Sequence, residues 1–413
     1  MARTEGGSAL PVPHRCACPL PGSYDILERA GRERTSSRPG LHTIKTGEAG
    51  VMPMFFNSDE IAYIRERSAD MERSRSLAPG VLDLLFNKGW FKLFVPKRLG
   101  GSMTPLPEAV RLFEEASWVD GNVGWTITIG SGGGFFVPFL PPASAERLFS
   151  PPGAVVAGSG MPTGTARRVE GGYIVTGQWK YCSGSKHASL FTANALIEND
   201  GLAAEQEMRS FAFLPEQVTI EEDWDAFGLQ ATDSHTMSVQ DQFVPEDMTF
   251  LLTERQTEDR DPIYDYPFLP FAQASFAGVA IGLGRRFLDE AERMLEARRA
   301  AWSTSERAAF VERLLAAQRS TLAAAVEPFY GELESSWERV ARGDALDEDE
   351  QSRVTASCRH AARATLECAQ AVFPYMGMTS VMKSAPLNRV WRDLQTACHH
   401  SLLVSFEDRA ERA

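Results

Sequence analysis

The sequence predicts an α+β fold in which a helical unit, a β unit and a helical bundle follow one another, and three observations carry that prediction. Residues 54–153 repeat apolar side chains at helical spacing, residues 154–252 shorten into alternating runs cut by Gly, Pro and Asp, and residues 271–413 return to long helical periods. An acidic, Pro-bearing linker at 253–270 separates the last two. A chain of 413 residues exceeds what one core usually serves, and 43% hydrophobic content is enough to bury several.

Residues 1–53 mix Pro, Gly, Arg, Ser and Thr with no sustained apolar period, so they are predicted to stay disordered. Met52 and Met54 stand just before the first patterned segment, and the natural product is expected to begin near them. In the first unit, Ser58 or Asp59 reads as the N-cap of a helix whose inner face carries Ile61, Ile64, Ser68 and Met71. Helices follow at 77–90 and 106–119, parted by the turn-rich stretch Val95 to Ser102. In the β unit, Tyr173 to Thr176 reads as a strand, Gly177 as a turn, and the next residues as an aromatic strand ending in a Ser/Gly loop closed by His187. Further strands are predicted at Ser210 to Leu214 and Met237 to Gln240. The bundle is predicted at 274–301, 305–343, 348–373 and 386–407, with Asp347 to Glu350 opening the third helix, where acids favour the first turn.

Several function classes drop out. The net charge of −13 leaves no basic field for nucleic acid. No apolar run approaches the ~20 residues of a bilayer span, and no signal-peptide core is present, which points to a cytoplasmic protein without a membrane partner. The six cysteines, Cys16, Cys18, Cys182, Cys358, Cys368 and Cys398, form no CxxC pair and read as reduced thiols, with no metal site. The glycine groups at 130–134, 158–164 and 282–284 lack complete GxGxxG spacing and read as turns and close packing. Walker A, HExxH and GxSxG sequences are missing, so phosphoryl transfer and zinc or serine hydrolysis lack support.

Two distant stretches make chemical sense together: Gly171 to His187, with its Ser/Gly loop, and Asn388 to His400, read as a helix ending in imidazole. Added to Val95-Pro-Lys-Arg-Leu-Gly-Gly101, Gly228-Leu-Gln-Ala-Thr-Asp-Ser234 and Phe243-Val-Pro-Glu246, they make five motifs whose order resembles the acyl-CoA dehydrogenase superfamily from about residue 55 to 408. The resemblance implies an acyl-CoA dehydrogenase-like fold: an N-terminal helical domain, a central β-barrel domain and a C-terminal four-helix bundle. It also implies a homotetramer with flavin between subunits.

Within that superfamily, dehydrogenases carry a catalytic Glu eight places after the residue matching Asp393; here that place holds Ser401, which cannot abstract a carbon-bound proton. The neighbouring His400 is what the two-component, flavin-dependent monooxygenase branch shows. That likeness implies reduced FMN or FAD delivered by a separate reductase, O2 as cosubstrate, a flavin C4a-hydroperoxide, and a small aromatic or heteroatom-bearing substrate. By the same likeness, Ser183 bonds flavin N5, Tyr181 lies along the ring, and Trp125 and Ser159 line the flavin and substrate pocket. Arg298 reaches the flavin, and His400 protonates or tunes the oxygen centre, aided by an ordinary pKa of ~6.5. Packing explains Trp125 about as well, and Arg298 could pair with Glu290 or Glu296. His399 points ~100° from His400 on a helix, so only one can face the flavin; the resemblance selects His400. His187 is read as capping a backbone carbonyl, and His235 and His360 carry no supporting context. The rival functions are an acyl-CoA or acyl-carrier dehydrogenase using FAD and a non-catalytic flavin-fold scaffold.

Overall fold

The computed structural model describes residues 55–198, 207–302 and 306–405. The expectations for residues 1–53, for a start near Met52 or Met54, and for helix beyond residue 405 fall outside the described residues. Five helices come first: α1 Ser58–Ser74, α2 Pro79–Asn87, α3 Leu106–Val119, α4 Gly121–Gly132 and α5 Pro142–Phe149. The cap of α1 is Asn57 rather than Ser58 or Asp59, because Asn57 and Glu60 satisfy each other's backbone N–H groups at 2.9 and 3.0 Å. Ile64, Ser68 and Met71 form its buried face as the periodicity predicts.

Seven strands follow: β1 Val156–Val169, β2 Gly172–Cys182, β3 Leu190–Ile197, β4 Met208–Phe213, β5 Thr219–Glu221, β6 His235–Pro245 and β7 Thr249–Phe250. They build one sheet in the order β5-β6-β2-β1-β3-β4-β7, with β1 and β3 parallel and the other neighbours antiparallel. The sheet curls into a barrel-like form. Tyr173 and Trp179 of β2 meet Phe211 and Phe213 of β4 at ring distances of 5.3 and 6.1 Å, although β1 and β3 lie between those strands in the hydrogen-bonding order.

Gly177 is not a turn. It lies inside β2 at a register irregularity, where a Cβ would come within 2.5 Å of the Trp179 ring and 2.7 Å of Gly164 Cα. Glycine there serves close approach: the Trp179 indole rests on two backbones and donates to Asn194 O at 2.8 Å.

The bundle comprises α6 Phe268–Trp302, α7 Arg307–Arg342, α8 Glu348–Val372 and α9 Pro386–Cys398. Asp347 caps α8 through a reciprocal box with Glu350, and Gly343, at φ 90°, ends α7, so both ends fall close to where the sequence puts them. Helix α6 is the spine, packed against α3, α7, α8 and α9. Gly282 and Gly284 bring it close to its neighbours: a Cβ at Gly282 would strike Glu114 O of α3 at 2.0 Å, and one at Gly284 would strike Thr365 of α8 at 2.1 Å. These glycines serve packing, as the sequence reading holds. Among the described residues, no helix is long and apolar enough to cross a membrane.

Gly177→Ala is expected to cost about 1–3 kcal/mol in urea denaturation, since the added methyl must displace Trp179. Gly153→Ala, whose methyl meets open space, should change stability by less than about 0.5 kcal/mol.

Candidate active site

Tyr181, one residue before the end of β2, sits in the left-handed region at φ 66°, within a second register irregularity between Trp179 and Cys182. This inversion throws the Tyr181 ring outward, where it is 68% exposed, and turns Cys182 and Ser183 inward to full burial. The following loop zips onto the segment that precedes β6. Gly184 N donates to Thr232 O at 2.8 Å, Ser185 N to Asp233 O at 3.2 Å, and Ser185 Oγ to the same carbonyl at 2.7 Å.

The segment Gly228 to Ser234 is buried between helices and held from both sides. Asp393 of α9 accepts from Leu229 N at 2.6 Å, Asn122 of α4 accepts from Ala231 N at 2.9 Å, and Arg392 Nη1 donates to Phe227 O at 2.6 Å. Arg392 also pairs with Glu72 of α1 and bonds Asn388 Oδ1 at 2.9 Å. Burial, helped by the like charges of Asp120 and then Glu72, pushes the Asp393 carboxyl up to about 7; the Leu229 N–H and Arg392 act in the opposite direction.

Three of the sequence-selected residues, Trp125, Ser183 and His400, meet here. Ser183 Oγ accepts from Trp125 Nε1 at 2.9 Å and lies 2.7 Å from Ser234 Oγ; Ser234 Oγ lies 2.7 Å from Thr232 Oγ1, which donates to Leu229 O at 2.8 Å. The Trp125 ring stacks on Phe276 of α6 at 5.2 Å and 11°, and the His400 ring lies 4.3 Å from Phe276 and 5.9 Å from Trp125. Trp125 thus bridges Ser183 and His400, which come from opposite halves of the chain.

Helix α9 stops at Cys398, so His400 projects from a turn rather than from a continuing helix. His400 caps the 3-10 turn Ser401–Leu403, with Nδ1 accepting from Leu402 N at 3.3 Å, and Gln273 of α6 pins that turn by donating to Leu402 O at 3.1 Å. With Nδ1 accepting, the neutral ring carries its proton on Nε2. Burial pushes His400 down to about 4, so at neutral pH it is an uncharged N–H donor, not the group poised near 6.5 that its ordinary value suggests. His399 is exposed and tied to Gln395 O at 2.6 Å, which leaves His400 as the inward imidazole. Ser401, at the dehydrogenase base position, is exposed.

Other expectations are placed differently. Arg298 lies 22 residues beyond Phe276 on α6, about 33 Å along a straight helix, where it reaches Met376 O at 3.4 Å and the Trp302 ring rather than Glu290 or Glu296. Glu290 pairs instead with Arg286 and Arg293. The structure therefore does not bring Arg298 to the Ser183 and His400 group within one chain. Ser159 is half-buried on β1, opposite Ala193 at the last rung before a register shift. His187 caps no carbonyl through Nε2, which is buried without a partner; its ring packs on Phe86 and Phe91, and burial pushes it down to about 4.

Residues that sequence reasoning did not single out complete the site. Ser234 and Thr232 sit within the Gly228 to Ser234 motif, but nothing local in the sequence shows that Ser234 bonds Ser183 and Thr232 bonds Ser234. Beside Ser234 opens a cleft of about 270 Å³ walled by Tyr181 and Trp224, whose rings stand edge to face at 6.1 Å, with Lys180, Asp223 and Thr236 on its lining. The residues present fit a flat heteroaromatic cofactor: aromatic walls flank the cleft, and Ser234 on its lining bonds Ser183 behind it. Among the described residues, no group of His, Cys, Asp and Glu could hold a metal ion.

The family profile "Acyl-CoA dehydrogenase, C-terminal domain" matches residues 274–405. The indole-3-acetate monooxygenase of Pseudomonas putida is 31% identical over 345 residues, covering 82% of this chain and 87% of that protein. The flavin-dependent monooxygenase oxygenase subunit HsaA of Rhodococcus jostii (strain RHA1) is 24% identical over 353 residues, covering 82% and 91%. The crystal structure of the HsaA monooxygenase from M. tuberculosis superposes with a TM-score of 0.78 at 22% identity, over 86% of this chain and 94% of that one.

Asp393→Leu, which leaves the buried Leu229 N–H unpaired, is expected to cost about 1–3 kcal/mol by urea denaturation, while Asp393→Asn, which keeps an acceptor, costs less. The raised carboxyl holds a proton that the unfolded chain releases near 3.9, so its contribution to stability is lost as pH rises from about 4 through about 7. Asn should remove that slope, so its stability relative to wild type should improve from pH 5 to pH 8. His400 has the opposite sign: its depressed value makes it a source of stability above about 6.5 that disappears as pH falls through about 4. Its ring resonances in NMR titration are expected to stay still between pH 6 and 8 and to move near pH 4.

Proposed function

Because the chain belongs to the two-component, flavin-dependent monooxygenase branch of the acyl-CoA dehydrogenase superfamily, we propose that the Ser183, Trp125 and His400 group is its oxygenation site. The chain is an oxidoreductase, the oxygenase component that uses reduced flavin and O2. The observation that supports the site is the Trp125 bridge, bonded to Ser183 at 2.9 Å and packed 5.9 Å from His400.

Reduced flavin, when bound, supplies the two electrons that activate dioxygen. The chain's own residues supply the rest. Ser183 holds flavin N5, with Trp125 and Ser234 fixing its oxygen. Tyr181 and Trp224 wall the ring. Phe276 and Trp125 keep water from the His400 face, and His400 offers a neutral Nε2–H to the developing oxygen charge. Ser159 lines the substrate side from β1. The substrate is a small aromatic or heteroatom-bearing molecule, in keeping with the ring-lined site. FMN and FAD both suit Ser183, which meets only the ring that they share.

The domains read as 54–153, 154–252 and 271–413, joined by 253–270. The unit of function is a homotetramer served by a separate flavin reductase in the cytoplasm. Exposed Tyr375, Met378, Val381 and Met382 at one end of the bundle support self-association, and the free, buried thiols of Cys182, Cys358, Cys368 and Cys398 support a reducing compartment. Arg298, remote from Ser183 in its own chain, would meet flavin only across a subunit boundary.

With photoreduced FMN or FAD and air, Ser183→Ala is expected to raise hydrogen peroxide released per flavin oxidised about tenfold, the loss of roughly one hydrogen bond to the cofactor. Unchanged release would remove Ser183 from the reaction. Oxidised flavin on the enzyme should not bleach with an acyl thioester under argon, since Ser401 supplies no base; bleaching would favour the dehydrogenase reading.

A further inference from the structure

Three short oxygen contacts run in line from Ser183 to Ser234, Ser234 to Thr232, and Thr232 to Leu229 O, at 2.7, 2.7 and 2.8 Å. Each needs a proton between its oxygens, because two lone pairs facing one another at that distance repel. Three hydroxyls bring three protons, and the carbonyl brings none. Only one assignment serves all three contacts: Thr232 donates to Leu229 O, Ser234 to Thr232, and Ser183 to Ser234. At the other end, Trp125 Nε1, which can only donate, fills one lone pair of Ser183. Every group is buried, and the acceptor-only carbonyl of Leu229 sets the order from its inner end. Ser183 is left with no proton to give and one lone pair to offer.

We propose that this relay is a polarity lock that makes Ser183 an obligate hydrogen-bond acceptor, so that the site selects reduced over oxidised flavin. The inference rests on the placement of flavin N5 at Ser183. Reduced flavin carries N5–H and satisfies the free lone pair; oxidised flavin presents a bare N5 lone pair, which meets another lone pair. Thr232 and Ser234 are positioning residues that act through Ser183, and Leu229 O is the sink that sets the direction. The consequence for a two-component enzyme is that the incoming reduced cofactor is taken up and the spent one is released.

The structure also supplies a clean variant. Leu229 O accepts a second hydrogen bond from Trp224 Nε1 at 2.9 Å, so Thr232→Val removes the sink without orphaning the carbonyl. Ser234 can then turn its proton to Ser183, and Ser183 can donate to N5. Dissociation constants for oxidised FMN or FAD by fluorescence quenching, and for the reduced forms under argon, test the lock. Wild type is expected to bind the reduced form at least about tenfold more tightly, the worth of one hydrogen bond. Thr232→Val and Ser234→Ala should bring the two constants within about threefold, mainly by tighter binding of oxidised flavin, and Thr232→Ser should restore the preference. A reduced-to-oxidised ratio that stays at the wild-type value in both Thr232→Val and Ser234→Ala, with flavin still bound, overturns the lock while leaving the oxygenase reading intact. Wild type binding neither form would overturn the flavin reading and the lock together.

Discussion

The buried segment from Gly228 to Ser234 is the constraint on which the rest depends. A loop inside a protein must find partners for its peptide groups, and this one finds them in side chains from separate layers: the Asp393 carboxylate, the Asn122 amide and the Arg392 guanidinium. These three bonds fasten the sheet to the first helices and to the bundle at one place. Ser234 then fixes Ser183, Ser183 fixes Trp125, and Trp125 packs against Phe276 and His400. Disturbing α9 therefore disturbs the hydroxyl at the end of β2, although the two share no direct bond among those described.

Burial also resets the chemistry of the groups it collects. An imidazole enclosed by Phe276 and Trp125 loses affinity for its proton, while a carboxyl enclosed beside Asp120 gains it. Around Ser183 and His400 the working groups at neutral pH are consequently neutral donors and acceptors with fixed directions. Such dipoles need no reorganisation when charge develops on a bound molecule.

Much of this was legible in the sequence where local rules govern. Helices α3, α7 and α8 follow their apolar periods closely, helped by the Asp347 cap and the left-handed Gly343. Ser183, Trp125 and His400, named by resemblance, do come together. Legibility fails where partners lie far apart in the chain. Gly177 reads as a turn until Trp179 and Gly164 are seen to need its missing methyl, and His400 reads as helical until α9 ends at Cys398. No local pattern could show that Ser234 holds Ser183, that burial takes His400 to about 4, or that Arg298 sits far along α6. Each depends on three-dimensional neighbours rather than on spacing.

The doubly bonded carbonyl of Leu229 has a bearing on how adaptable the cleft is. Trp224 forms part of the cleft wall, yet its indole hydrogen bond goes to an oxygen already satisfied by Thr232. Swinging that indole aside therefore forfeits one ordinary bond, about 1 kcal/mol, and leaves no stranded acceptor behind it. The indole is thus a cleft wall that can move without stranding a buried acceptor, and guests of different girth can be admitted on that side.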